Sequence, residues 1–227
     1  MPTSSPARPA ATATRERILD AAERLFAGAG YDAVSLRMIT REAGVELALA
    51  NYHFGPKLEL FRAVVERRAS DLNAARMAAL EALAPDAPLE AIIDAFSGPF
   101  LSRSLHGGPG WKAYARVIAQ VANSERWTHA LMSAYFDPVA HAFVARMRAR
   151  LPRARAEDIY WGFHFLIGAM TITFAETGRI DVLSAGRCAS SDLATIHARM
   201  LPFLAAGFRA ICASDGISGE TGRQGHE

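Results

Sequence analysis

The sequence has only two cysteines, Cys188 and Cys212, which stand far apart along the chain. Two are too few for a disulfide scaffold, and their separation is unlike the close spacing of a zinc or redox site. No stretch of eighteen uninterrupted apolar residues occurs, and the N-terminus lacks the apolar segment that a secretory signal needs. We therefore expect a cytoplasmic protein with reduced thiols and no metal site.

Charge of one sign is also scarce, because 25 basic and 23 acidic residues leave a formal net charge of +2. This balance argues against a strongly basic nucleic-acid coat but permits a compact DNA reader whose few cations face one way. Apolar residues make up 51% and charged residues 21% of the 227 residues, which is typical of a globular protein. The length suits a small module joined to a larger one.

Patterns that would indicate catalysis are missing as well. No spacing resembles a nucleophile elbow, a set of metal ligands or a pair of carboxylates on one helix face. The run HGGPG from His106 to Gly110 fits neither nucleotide-binding fingerprint and follows no predicted strand, so we interpret it as a turn. The sequence predicts neither an enzyme nor a cofactor.

Two short helices joined by a glycine are predicted between Ser35 and Lys57. Ser35 can cap the first helix by accepting a bond from an orphaned backbone N–H, and Gly44 can end it in the left-handed conformation. The second helix is expected over residues 46–54. In a helix-turn-helix unit such a second helix lies in the major groove of DNA; an ordinary helical corner remains the alternative on these residues alone. At 100° per residue, one face of this helix would carry Leu47, Ala48, Asn51 and Tyr52.

A preceding helix, capped by Thr14, would carry an apolar stripe that holds the two short helices at their angle. Gly28 and Gly30 are expected to end it. A long connecting helix follows Lys57, and the rest of the chain to about residue 213 alternates helical stripes with proline and glycine, without a strand or hairpin pattern. The stripe of the preceding helix consists of Ile18, Ala22, Leu25 and Phe26.

The stretch TRERILDAAERLFAGAGYDAVSLRMITREAGVELALANYHFGPKLELFRAVV resembles the N-terminal domain of the TetR family of bacterial transcription regulators. The resemblance rests on an aromatic residue after glycine (Tyr31), the AGV turn (43–45) and the YHF…K run (52–57). It implies an all-α fold, in which an N-terminal three-helix helix-turn-helix domain is joined by a long helix to a larger helical ligand-binding and dimerisation domain.

This resemblance divides the chain into four parts. They are a disordered tail over residues 1–13, a helix-turn-helix DNA-binding domain over 14–58, an effector-binding and dimerisation domain over 59–213, and a second disordered tail over 214–227.

The resemblance also implies which side chains contact DNA. Ser35 and Arg37 would approach phosphates, Leu47, Ala48 and Asn51 would face bases, and Tyr52, His53 and Lys57 would contact phosphates. Many relatives have polar residues at some of these positions, so base reading here would rest on apolar contacts, such as those to thymine methyls, and one amide that can bond adenine. For His53 a packing role is an equal alternative.

Family resemblance further implies a homodimer formed by the last two long helices, and release of DNA when a small molecule binds the helical domain. A DNA-binding repressor is therefore predicted, and a helical ligand-binding or adaptor protein without DNA binding is the alternative. The effector would be apolar, either acyl or aromatic. Its candidate contacts, each of which can instead be a core residue, are Phe96, Phe100, Trp111, Tyr114, Tyr135, Phe136, Trp161, His164, Phe165, Met170 and Phe174.

Five arginines follow one another closely near the end of a predicted helix. A solvated helix end, where cations complement the helix dipole, is the favoured interpretation. Binding of an anionic headgroup is the alternative. The five are Arg146, Arg148, Arg150, Arg153 and Arg155.

Overall fold

The computed structural model describes residues 7–213, with side chains from residue 11 onward except that of Thr128. Helices and turns account for this part of the chain without a strand, which confirms the all-α prediction. None of the helices in this part is both long and apolar enough to cross a membrane. Residues 1–6 of the predicted N-terminal tail and the whole of the C-terminal one lie outside the described residues.

The helices follow one another with short connections. In chain order they are α1 (Ala7–Ala33), α2 (Leu36–Ala43), α3 (Leu47–Phe54), α4 (Lys57–Glu81), α5 (Leu89–His106), α6 (Pro109–Ala122), α7 (Glu125–Trp127), a π-helical turn (Thr128–Ser133), α8 (Ala134–Arg150), α9 (Ala156–Phe174), α10 (Arg179–Leu183) and α11 (Leu193–Ala213).

Helix α1 begins at Ala7, so the prediction that Thr14 caps it is wrong and the predicted tail does not extend over residues 7–13. Alanine, abundant here, has the highest helix propensity, and Pro9 falls in the first turn, where a missing N–H costs little. At its other end the helical path breaks at Gly30, whose φ of 76° and ψ of 170° lie outside the helical region. Gly28, also expected to end α1, remains within it.

Gly98 and Pro99 predict that a helix over this segment is kinked or split. Helix α5 instead continues through Pro99 without a split. Proline removes the N–H that would bond to the Ala95 carbonyl, but Phe96 and Phe100 on either side are buried in the core and hold the helix together. The apolar stripe after Trp127 predicts one helix from Trp127 to residue 151. The structure instead has the π-helical turn over Thr128–Ser133 before α8 begins at Ala134.

The predicted DNA-binding domain is not a free module, because its core continues into the larger helical domain. Phe26 of α1 and Phe61 of α4 lie edge to face with ring centroids 4.9 Å apart. The Tyr31 ring packs 4.9 Å from Trp127, which Phe61 also contacts. Aromatic packing therefore joins α1 and α4 to α7.

A buried ion pair reinforces the same joint. The Glu23 carboxylate on α1 is 2% exposed and accepts a 2.8 Å hydrogen bond from Nη2 of Arg68 on α4. The Arg68 guanidinium also lies 4.9 Å from the ring centroid of Trp111 on α6. Burial disfavours the Arg68 cation, but Glu23 outweighs that effect and holds the Arg68 pKa above its ordinary value. Arg68 of α4 therefore links this helix to α1 and α6.

Glu23→Gln should lower the free energy of unfolding by about 3 kcal/mol, because it leaves the Arg68 cation without its carboxylate. Urea denaturation followed by circular dichroism measures the loss. The double variant Glu23→Leu/Arg68→Met should recover most of the stability, since it removes both charges. A double variant no more stable than Glu23→Gln would contradict this account.

Candidate DNA interface and ligand cavity

Helix α2 is fixed at both of its ends, and the turn to α3 follows it. Oγ of Ser35 accepts a 3.2 Å bond from the Met38 N–H, which confirms the predicted cap. Gly44 adopts the left-handed conformation (φ 61°, ψ 43°), as its place at the end of α2 requires. Arg17 of α1 donates from Nη2 to the carbonyls of Ala43 (2.6 Å) and Gly44 (2.7 Å). Arg17, which the sequence did not indicate, locks the turn onto α1.

Helix α3 presents an uncommitted face to solvent. Ala50 is fully buried and anchors the helix, whereas Ala48, Asn51 and Tyr52 are exposed, with Tyr52 exposed to 81%. Leu47 is only half-buried and belongs to the edge of this face. The three exposed side chains therefore share one surface, as the helical spacing predicted.

His53 lies between two aromatic neighbours. Its ring centroid is 5.2 Å from that of Tyr52 and 6.2 Å from that of Phe54, and the side chain is half-buried. This placement favours the packing interpretation over a direct phosphate contact.

Lys57, expected to contact phosphate, is engaged within the protein. Its Nζ donates to the carbonyls of Tyr31 (2.9 Å) and Val34 (2.8 Å) and lies 4.1 Å from the centroid of the Tyr31 ring. These interactions fasten the segment before α2 to the start of α4. A phosphate contact would have to compete with both carbonyls. Lys57 therefore acts first as a clamp that holds the helix-turn-helix unit α1–α3, which we call the reader, against the start of α4.

Two other cations are better placed for phosphates. Arg37 and Arg41 on α2 are exposed, and no ion pair or side-chain hydrogen bond is seen for either within the described residues. Arg24, in contrast, pairs with Glu42 at 3.2 Å. The phosphate contact of Arg37 stays a prediction, and Arg41 is a further exposed cation on the same helix.

Behind the reader, a cavity of about 100 Å³ lies among α4, α5, α6, the π-helical turn, α8 and α9. Apolar side chains make up most of its wall. Of the candidate ligand contacts, the structure brings together Phe96, Phe100, Phe136, Met170 and Phe174 around it.

The remaining candidates lie elsewhere. Trp111 and Tyr114 are buried, and Tyr114 donates to the Val65 carbonyl of α4 at 3.2 Å. Tyr135 is half-buried and lies in a separate surface groove beside α4. Sequence spacing identified these helices as apolar but could not say which face of each turns inward. The candidates exposed on the outer face of α9 are Trp161, His164 and Phe165.

The exposed side of α9 continues onto α11 as an apolar surface. Trp161 is 58%, Phe165 54%, Ile172 67% and Phe203 74% exposed. Three of these residues follow one another on α9 at helical spacing, and Phe203 stands on α11. The two helices pack against each other, so they present a single face, which we call the α9–α11 face.

The arginine cluster has no common site. Arg146 donates from Nη2 to the carbonyls of Leu83 (2.9 Å) and Ala84 (2.8 Å), which follow the end of α4. Arg155 lies 3.7 Å from Glu157, and both side chains are exposed. The solvated helix end, with one arginine serving as a cap, fits this arrangement better than an anion site.

Comparison with known proteins matches both parts of this architecture. Residues 94–207 match the family model described as "Tetracyclin repressor-like, C-terminal domain", and residues 18–64 match "Bacterial regulatory proteins, tetR family". The chain belongs to the TetR family. It therefore carries the helix-turn-helix DNA-binding domain of a family of transcriptional regulators.

Individual proteins similar to this TetR-family chain include transcriptional regulators. Two proteins of Pseudomonas putida, the HTH-type transcriptional regulator SrpR and the uncharacterized HTH-type transcriptional regulator TtgW, are each 40% identical over 60 residues, or 26% of this chain. Those alignments span only 28% and 45% of the two relatives. A Clostridium perfringens protein, proposed to regulate fatty acid metabolism, shares the fold with a TM-score of 0.62 at 18% identity, over 84% of this chain and 97% of that one.

This TetR-family chain also contains a buried serine and a buried histidine that lie close to an exposed aspartate. Oγ of Ser97 lies 2.8 Å from Nε2 of His197, and the same nitrogen lies 3.5 Å from Oδ1 of Asp94. The Ser97 hydroxyl donates to the Ile93 carbonyl at 2.8 Å, so it accepts from the histidine. A catalytic triad needs the acid and the serine on different ring nitrogens, and this cluster is a structural link between α5 and α11.

Burial lowers the pKa of His197 below its ordinary value, although Asp94 opposes this shift. The folded state therefore disfavours the protonated ring. His197 should make its full contribution to the free energy of unfolding above about pH 6.5, the ordinary histidine pKa. This contribution should fall as the pH drops below that value.

His197→Gln, which keeps a donor for Ser97, should lose less stability than the wild type between about pH 7.5 and about pH 5.5. Thermal unfolding across this range is the measurement, with His141→Gln on the exposed side of α8 as the control. If wild type and His197→Gln lose stability in parallel, the assignment to His197 is wrong.

Proposed function

We propose that this protein is a cytoplasmic transcriptional repressor that binds operator DNA as a homodimer and leaves it when a small apolar effector binds. The observation that carries this proposal is the exposed face of α3, held at a fixed angle by Arg17 and by the buried Ala50. An exposed side-chain surface on the second helix of a helix-turn-helix suits the major groove.

The side chains of this interface have different roles in binding DNA. Asn51 is the exposed amide that can read adenine by a bidentate pair, and Ala48 offers only apolar contact. Tyr52 and Arg37 can contact phosphates, which position the protein without selecting sequence. Lys57 acts indirectly, by holding the segment before α2 in place.

Asn51→Ala should weaken binding to DNA from the gene's own upstream region by about 10-fold or more, while binding to unrelated DNA changes little. Arg37→Met should weaken binding to both and reduce the slope of log K against log salt concentration by about 1. Fluorescence anisotropy over a salt series measures both effects.

Arg153→Met is the matched control for this series, since it removes an equally exposed arginine far from the reader. It should change neither affinity nor slope. Lys57 is left intact, because its loss would loosen the reader itself. Absence of salt-dependent binding to the upstream DNA, or equal behaviour of Asn51→Ala and wild type, would overturn the proposal.

The α9–α11 face supports the homodimer. An exposed apolar face of this kind marks an interaction site, and two copies related by a two-fold axis would pair their α9 and α11 helices as a four-helix bundle. Such pairing sets two α3 helices at a fixed spacing, as two half-sites on DNA require.

Phe203→Glu should convert the dimer to a monomer, because it places a charge in the middle of the apolar face. Multi-angle light scattering at micromolar concentration gives the mass. Tyr52→Glu is the matched control, an equally exposed aromatic on the reader, and should remain dimeric. A wild-type monomer, or a Phe203→Glu variant with the mass of a dimer, would exclude this interface.

The effector would act by shifting populations. It can release DNA only if it binds more tightly to a conformation whose two readers no longer fit the operator. The cavity is suitably placed, because α4, which begins directly after the reader, forms part of its wall.

A further inference from the structure

The cavity behind the reader contains a buried cation. Arg76 of α4 is 4% exposed and lines the cavity. Its Nε donates to the Phe96 carbonyl at 2.8 Å, and its guanidinium carbon lies 4.3 Å from the centroid of the Phe96 ring. Those contacts fix the side chain in the wall of the cavity.

Arg76 has no carboxylate partner, unlike two other arginines that are held between helices, Arg68 and Arg103. Arg68 pairs with Glu23, Arg103 with Asp71, and each of these contacts is 2.8 Å or shorter. Within the described residues, no carboxylate oxygen lies within 4 Å of Arg76 and its terminal nitrogens donate no hydrogen bond.

The neighbouring groups do not supply the missing charge. Asp137 also lines the cavity, but it is exposed and forms no ion pair with Arg76. Burial raises the pKa of the Tyr114 hydroxyl, so this neighbour stays neutral. Burial lowers the pKa of Arg76 to about 10, and the guanidinium is still a cation at neutral pH. A buried cation with no counter-ion is unfavourable, and an incoming anion would relieve it.

The other residues of the cavity wall determine the polarity and the size of the ligand that fits. Apart from Arg76, Asp137 and Thr171, the lining is apolar. A volume of about 100 Å³ is somewhat smaller than the engineered cavity of roughly 150 Å³ that takes benzene. Met132 and Met170 in the wall have flexible side chains that can adapt to a guest.

We propose that this cavity binds a small apolar monocarboxylate, whose carboxylate pairs with the terminal nitrogens of Arg76 and whose single ring or short chain fills the apolar part. This inference rests on the proposed function, because it names the chemical class of the effector. The planar guanidinium matches a carboxylate in a bidentate pair.

The experiment compares acids with neutral isosteres on the purified full-length protein without DNA. Benzoate is titrated against benzamide, and hexanoate against hexanamide, by isothermal calorimetry. At least one acid should bind 10-fold or more tightly than its amide. Arg76→Met should remove this preference, whereas Arg103→Met, which removes a neighbouring arginine already paired with Asp71, should keep it.

Several outcomes would overturn the proposal. They are equal binding of acid and amide by the wild type, binding of neither pair, and an Arg76→Met variant that keeps the preference. Arg76→Lys, which retains the charge but not the fork, should keep part of the preference and serves if Arg76→Met does not fold. Because DNA is absent, a failure here is separate from a failure of operator binding, which the anisotropy series measures.

Discussion

The Glu23–Arg68 pair is the constraint on which the arrangement of the two domains depends. It is buried where α1, α4 and α6 meet, so the reader cannot turn relative to the helical domain without exposing or separating the two charges. The aromatic cluster around Phe61 and Trp127 closes the same joint. As a result, α4 connects the two domains through a buried joint, and we expect a displacement at one of its ends to reach the other.

The cavity is connected to this joint through α4. Leu72 and Arg76 lie in its wall on the same helix that carries Lys57 at its first position and Arg68 in its middle. The clamp on the reader, the joint between domains and the buried cation thus follow one another along α4. A ligand that moves α4 would act on all three, whereas one that only fills space between α5 and α9 would not.

The sequence predicted the ends of α2, because they depend on neighbours along the chain, whereas the Thr14 cap and the single helix after Trp127 were wrong. The Ser35 cap and the Gly44 turn follow from spacings of a few residues. Contacts between distant residues could not be predicted from it: Arg17 reaches the α2–α3 turn from another helix, and Lys57 donates to the Tyr31 carbonyl of α1. The burial of Arg76 could not be predicted from the sequence, because it depends on how five helices pack around this side chain.

The contact between α9 and α11 has a consequence for how a signal could leave the protomer. A Cβ atom at Gly162 would lie 2.2 Å from the Phe208 ring, so the ring occupies the space of the missing side chain. Neither helix can slide past the other without a collision, and the pair moves as one lever. Since α9 also lines the cavity, the partner protomer would receive a tilt of this whole lever, and the geometry of the pair of readers would change in a single step.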